Sequence, residues 1–303
     1  MDINSFMEIP SRKRTRKKKL TFQNLASIFI LLICITLLCV CSGKMFFKIY
    51  QHGRLKAEYN SIVKQNALLT ATTTELSLTY TDKKSEYDEI QKKYDEAMAN
   101  SPIAYLTFDD GPSDNTLKLL DVLDKYNVKA TFFVVYKDGY DHVYREIAKR
   151  GHVLANHTYS HKYEDIYASP EAFIDNILKL DKKLEEITGV PPSKILRFPG
   201  GSNTGFVTPE NSAKIKAKLE ELGYVYFDWN VDSLDASAMT QPKDVVVNGV
   251  LNGTDLVNTA NVLMHDTNIK HTTIEAVPQI IEGLKDRGYR FKSLDHESVK
   301  IQF

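Results

Sequence analysis

The longest apolar stretch comes first in the chain. Leu20 to Gly43 contains no charged side chain, and Ala26 to Leu38 is almost wholly aliphatic. Wound as a helix it reaches roughly 36 Å, enough to cross about 30 Å of hydrocarbon. Residues 44–100 are polar, rich in Lys and Glu, and carry loosely recurring apolar positions such as Leu55, Tyr59, Ile62, Leu68 and Leu69. Tyr87, Ile90, Tyr94 and Ala97 have helical spacing. This stretch reads as a helical stalk, interrupted at the threonine-rich Thr70–Thr74, with too few heptads for a coiled coil. Asn100-Ser101-Pro102 punctuates its end.

From Ile103 short β-type runs alternate with helical periods, the pattern of parallel βα units. The strands predicted are 103–109, 130–136, 152–156, 195–198, 224–231, 261–265 and 290–294. Helices are predicted over 117–126, 141–150, 170–188, 209–222, 242–252 and 273–287. Gly151, Gly189, Gly223 and Gly288 stand where helices stop before the next strand. Repetition of the unit without a nucleotide-type glycine loop favours an α/β barrel over an open sheet. Chemistry in such barrels collects at the C-terminal strand ends.

A formal net charge of zero hides an asymmetry. Residues 1–50 hold nine Lys/Arg against Asp2 and Glu8; the remainder holds 30 basic and 37 acidic side chains. An acidic body argues against nucleic-acid binding. Seven basic residues lie between Arg12 and Lys19, directly before the apolar run. Such a cluster stays in the cytoplasm, which puts the chain from Lys44 onward outside. The expected layout is a basic tail (1–19), a transmembrane helix (20–43), a stalk (44–100) and a βα domain (101–303). A cleaved signal peptide competes with the anchor, although Val40-Cys41-Ser42 is a poor cleavage site. All three cysteines fall inside the span, so the outer part stands without disulfides.

Candidate chemistry sits after the strands. Asp109-Asp110-Gly111-Pro112 ends the first strand. Adjacent carboxylates are costly unless a cation lies beside them, and a divalent metal meets that need; a solvated turn is the plainer alternative. A Ser or Asx residue at 113–115 caps the helix that follows. His157-Thr158-Tyr159-Ser160-His161 follows the third strand, and an i, i+4 histidine pair on a helical turn suits two ligands of one metal. Arg197-Phe198-Pro199-Gly200-Gly201 follows the fourth, with glycine amides available to an oxyanion. Asp228, Asp232 and Asp235 surround Trp229, either a cleft wall or a solvated strand edge. His265 ends the sixth strand.

Taken together, these stretches resemble the polysaccharide deacetylases, the nodulation-type carbohydrate esterases. The matching motifs are Thr-Phe-Asp-Asp at 107–110, His-Thr-x-x-His at 157–161, Arg-x-Pro-x-Gly at 197–201, Asp-Ser-Leu-Asp at 232–235 and Leu-x-His at 263–265. The resemblance implies a distorted barrel of seven or eight βα units holding one divalent metal, usually zinc, with cobalt, manganese and nickel as alternatives. It implies Asp110, His157 and His161 as metal ligands and Asp109 as the base, held by Arg197. It further implies the Gly200 amide at the oxyanion, and His265 as the acid, oriented by Asp235. The substrate expected is cell-wall glycan, with peptidoglycan N-acetylglucosamine favoured by the membrane anchor. Muramic acid, chitooligosaccharides, exopolysaccharide, O-acetylated xylan and an inactive wall-binding role are the alternatives. Two departures stand out. Ala236 replaces a tryptophan that many members place beside the catalytic histidine, and Trp229 either supplies an aromatic surface instead or is core. Gly200 replaces a tyrosine found in some, which implies a slightly wider cleft.

Overall fold

The computed structural model describes residues 22–303. The basic tail 1–19 and the first residues of the apolar run lie outside the described residues. The chain divides into two units, Met1–Gln91 and Lys92–Phe303.

The described part of the first unit belongs to one helix, α1 (Phe22–Asn100). It is long and apolar enough in its first part to cross a membrane. Neither the expected boundary at 43/44 nor the threonine run breaks it. Thr70, Thr72 and Thr74 donate their hydroxyls to the carbonyls of Asn66, Leu68 and Thr70 at 2.8, 3.0 and 2.9 Å. Each hydroxyl is thus satisfied within the helix, which a low intrinsic propensity alone does not outweigh.

The second unit is a parallel sheet wrapped by helices. Its strands are β1 (Ile103–Gly111), β2 (Thr131–Val134), β3 (Val153–Asn156), β4 (Ile195–Leu196), β5 (Val225–Tyr226), β6 (Val231–Asp232), β7 (Thr259–His265) and β8 (Arg290–Lys292). Their order is β5-β4-β3-β2-β1-β7-β6. β7 pairs along β1 from Ile103 to Asp109, so the other edge of β1 is shared by β8 (at 103–105) and β2 (at 107–111). Between strands run α2 (Asp114–Tyr126), α3 (Asp141–Lys149), α4 (Tyr163–Ile166), α5 (Pro170–Thr188), α6 (Pro209–Glu221), α7 (Lys243–Gly253) and α8 (His271–Asp286). Ser113 caps α2 in a reciprocal box with Thr116.

One predicted strand is two. The run 224–231 divides into β5, which pairs with β4, and β6, which pairs with β7 at the opposite end of the sheet. Phe227–Asn230 joins those two ends, so the sheet curls into a distorted barrel with a seam. The N–H groups of Phe227 and Asn230 donate to Leu196 O and Asn261 O, and side chains take up the carbonyls. Arg197 Nε donates to Phe227 O at 3.0 Å, Arg197 Nη2 to Asp228 O at 3.0 Å, and Asn261 Nδ2 to Asp228 O at 2.7 Å.

Alternation along each strand sorts the side chains. Ala104, Leu106, Phe108, Phe132, Val134, Val262 and Met264 pack outward under α2, α3, α7 and α8 in the main core. Leu196 and Phe198 face α4, α5 and α6 in a second cluster. Tyr105, Phe133, Ala155, Ile195 and Phe227 fill the barrel interior. Continuing those inward series by two residues gives Thr107 and Asp109, then His157 and Arg197. The interior is apolar at the bottom and ionisable at the C-terminal rim.

Candidate active site

Asp109 is the last inward position of β1 and is buried. Its Oδ1 accepts from Arg197 Nη1 at 2.8 Å. Arg197 is 0% exposed. Its remaining donors go to Thr107 Oγ1, Phe227 O, Asp228 O and Asn261 Oδ1 at 2.8 to 3.2 Å. All five guanidinium N–H groups are therefore used. Its planar face lies over the Phe133 ring, with the guanidinium carbon 4.2 Å from the centroid. Trp229 contributes from farther out, at 5.8 Å, and meets Phe303 edge-on. That tryptophan is packing for the arginine.

Asp110 leaves the strand in a left-handed conformation, φ 68°. Lys137 Nζ holds its carbonyl at 2.7 Å. The turn directs its Oδ1 toward His157 Nε2 (3.6 Å) and His161 Nε2 (3.3 Å). Gly111 must be glycine, because a Cβ there would collide with the buried Asp266 carboxylate. That carboxylate takes the Thr116 hydroxyl at 2.5 Å, and burial raises its pKa to about 6.

The histidine pair converges, but not on a helical turn. Residues 157–162 form a loop, with Thr158 at φ 71° and His161 at φ 52°. Side chains hold it: Asn156 Oδ1 accepts from Thr158 N, Asn176 Oδ1 from Tyr159 N and Ser160 N, and Thr158 Oγ1 from His161 N. These local acceptors replace the helical ladder. His157 Nδ1 lies 2.8 Å from Arg197 O. A carbonyl can only accept, so Nδ1 carries the proton and Nε2 keeps a lone pair toward Asp110. Burial holds the His157 pKa below its ordinary value, which keeps the ring neutral.

One oxygen or nitrogen each from Asp110, His157 and His161 lie within 4.8 Å of one another. Asp110 Oδ1 is buried and has no hydrogen-bond partner. An orphaned buried carboxylate oxygen between two imidazole nitrogens fits a divalent cation, and the donor set of one carboxylate and two imidazoles suits zinc-like ions.

Across the rim, His265 stands opposite Asp109 in the β1–β7 register. Its Nδ1 lies 2.8 Å from Asp235 Oδ1, and its backbone N–H donates to Asp235 Oδ2 at 2.8 Å. Thr273 Oγ1 donates to that second oxygen at 3.0 Å. Burial opposes a charge on His265, but the hydrogen bond and charge of Asp235 outweigh it, with help from Asp109 and Asp110. The pKa is raised to about 9.

Gly200 lies in the loop after β4 at φ 79°. The expected widening of the cleft is absent there: the Tyr163 hydroxyl stands 2.9 Å from where a Gly200 Cβ would be. Of the other acids near Trp229, Asp228 is buried and holds Ser202 through its backbone and hydroxyl, at 2.8 and 2.6 Å, while Asp232 is exposed and caps Leu234 N. Ala236 is exposed on the 3-10 turn Asp235–Ser237.

Three contributors escaped the sequence reading. Lys137 fixes Asp110. The buried Lys270 points its ammonium at the carbonyls of Asp235, Ala238 and Met239 at 2.6, 2.7 and 3.1 Å, clamping the turn that carries Asp235. Tyr163 borders both His161 and Gly200. A lysine that binds carbonyls leaves no charge pattern in the sequence to find it by. Tyr163 is two residues from His161, and that proximity was the available signal.

The polysaccharide deacetylase family model matches residues 96–227. That span holds Asp109, Asp110, His157, His161, Arg197 and Gly200, and stops before Asp235 and His265. A peptidoglycan-N-acetylglucosamine deacetylase of Bacillus cereus is 34% identical over 203 residues, 65% of this chain and 70% of its own. A putative polysaccharide deacetylase of Bacillus subtilis is 33% identical over 202 residues, 65% and 68% of the two chains. The crystal structure of the catalytic domain of peptidoglycan N-acetylglucosamine deacetylase from Eubacterium rectale superposes with a TM-score of 0.64 at 42% identity. It covers 67% of this chain and 93% of that one. With its motifs gathered on the rim of a matching barrel, this chain belongs to the polysaccharide deacetylase family.

Proposed function

We propose that the protein hydrolyses the N-acetyl group of N-acetylglucosamine in peptidoglycan, using one divalent cation, zinc by preference, held by Asp110, His157 and His161. The observation that carries this is the orphaned Asp110 Oδ1 between two imidazoles, flanked by a buried Asp109–Arg197 pair and a His265–Asp235 pair. The substrate is argued from what the Bacillus and Eubacterium relatives are named for, together with an apolar helix suited to keep the chain at a cell surface.

A divalent cation held by Asp110, His157 and His161 would supply Lewis acidity toward the acetyl carbonyl and toward water. Asp109 has one oxygen engaged by Arg197 and the other free to take a proton from the attacking water. The Gly200 N–H, which donates to no protein acceptor among the described residues, stabilises the negative charge that grows on the acetyl oxygen. His265 gives its Nε2 proton to the sugar nitrogen as the carbon–nitrogen bond breaks, and Asp235 stabilises the imidazolium beforehand. Acetate and a free amine result.

Acetate release from purified peptidoglycan tests the reading. Release is expected to stop on chelation, to return with zinc, and to leave glucosamine rather than muramic acid. His157→Ala is expected to abolish both stoichiometric metal and release. Full metal occupancy in that variant would reject the ligand set, and muramic product would reject the sugar.

A further inference from the structure

Tyr163 fills the space that Gly200 leaves. Its hydroxyl lies 2.9 Å, and its Cε1 3.4 Å, from the position of a Cβ on residue 200. The same ring meets His161 edge-on at 5.5 Å between centroids and packs on Phe206 at 4.4 Å. One side chain therefore touches both a ligand of the cation site and the loop that presents the Gly200 amide. The hydroxyl has no hydrogen-bond partner among the described residues. A phenol is protonated at neutral pH, so the hydroxyl is available as a donor.

We propose that the Tyr163 hydroxyl is a catalytic residue, the second protein donor to the acetyl oxygen beside the Gly200 amide. This rests on the deacetylase reading above. An acetyl oxygen that reaches both the cation site and the Gly200 N–H must lie between them, and Tyr163 touches both His161 and the Gly200 loop that border that space. A donor aimed where negative charge develops favours the transition state over the ground state. Glycine at 200 and tyrosine at 163 form a matched pair, since any larger side chain at 200 would push the hydroxyl away. Phe206, itself 67% exposed, covers the ring from the solvent side.

Tyr163→Phe in the full chain, purified in detergent and loaded with cobalt, tests the assignment. Cobalt stoichiometry and its visible spectrum are expected to match the wild type. The kcat is expected to fall about a hundredfold with KM nearly unchanged, equally on an N-acetylglucosamine oligomer and on an aryl acetate. Equality separates an oxyanion donor from an acid, whose loss an activated leaving group would mask. Acetate titrated against the cobalt spectrum is expected to bind about tenfold more weakly. Gly200→Ala, which presses a methyl on the hydroxyl, is expected to cost less in the Tyr163→Phe background than alone. Unchanged kcat and acetate affinity would reduce Tyr163 to packing, and lost cobalt would make it a support for His161; either overturns the proposal. Aryl acetate and acetate need no glycan. Failure to act on peptidoglycan would thus strike the substrate reading and leave the Tyr163 result standing.

Discussion

His265 and Asp109 face one another across the rim, and the proposed mechanism makes opposite demands on them: the acid must start charged and the base must start ionised. The rate should therefore rise and then fall with pH, the descending limb following His265. Asp235 is the main influence raising the His265 pKa to about 9 from an ordinary 6.5, against the opposing effect of burial. Replacing Asp235 with Asn removes the favourable charge, so the imidazolium loses its proton at lower pH. The descending limb of kcat/KM is expected to move to lower pH, and the plateau to fall about a hundredfold, the usual scale of acid–base assistance. The limb should respond in this way with or without Thr273, which bonds the same carboxylate. A limb that stays in place in Asp235→Asn would assign the acid to another group.

At the level of elements, most of the site was legible because strands alternate with period two. Tyr105, Thr107 and Asp109 form one inward series and Ile195 and Arg197 another, so the rim residues follow from strand ends alone. What alternation cannot show is where a strand changes partners. Tyr224 to Val231 reads as one strand, yet it splits between β4 and β7 because Arg197 and Asn261 take up the carbonyls at the seam. The His157–His161 spacing likewise picked out two side chains that do converge, but on a loop folded by Asn156 and Asn176 and not on a helical turn. Lys270 stayed hidden because its partners are backbone carbonyls. The seam carries a prediction of its own. Arg197→Met leaves Asp109 buried without a counter-charge and strips donors from Phe227 O and Asp228 O. Breaking a buried pair costs about 3–5 kcal/mol, so the variant should show a much lower denaturant midpoint. Asp109→Asn keeps an acceptor for Arg197 and should lose turnover while keeping metal and most stability. A midpoint equal to wild type in Arg197→Met would mean the seam closes without the arginine.

For the whole molecule the governing feature is charge on either side of an apolar helix. Ile28, Phe29, Ile30, Leu31 and Leu32 of α1 are 47% exposed or more, a large apolar face for water to cover. Burying such side chains gains about 1.5–3 kcal/mol each, so a lipid core is a strong sink for this stretch. Before it lie the seven basic residues Arg12 to Lys19; residues 51–303 have a net charge of −7, from 30 basic and 37 acidic side chains. Translocation holds back Lys and Arg near a span and does not hold back a long following domain. The basic tail should therefore stay in the cytoplasm and residues 44–303 should lie outside, where peptidoglycan is. Protease added to intact protoplasts is expected to digest the catalytic unit and to leave a membrane-protected fragment bearing an N-terminal tag. Protection of the catalytic unit would reverse the orientation. A mature form beginning near residue 43, found in the medium without the tag, would make the apolar run a cleaved signal and not an anchor.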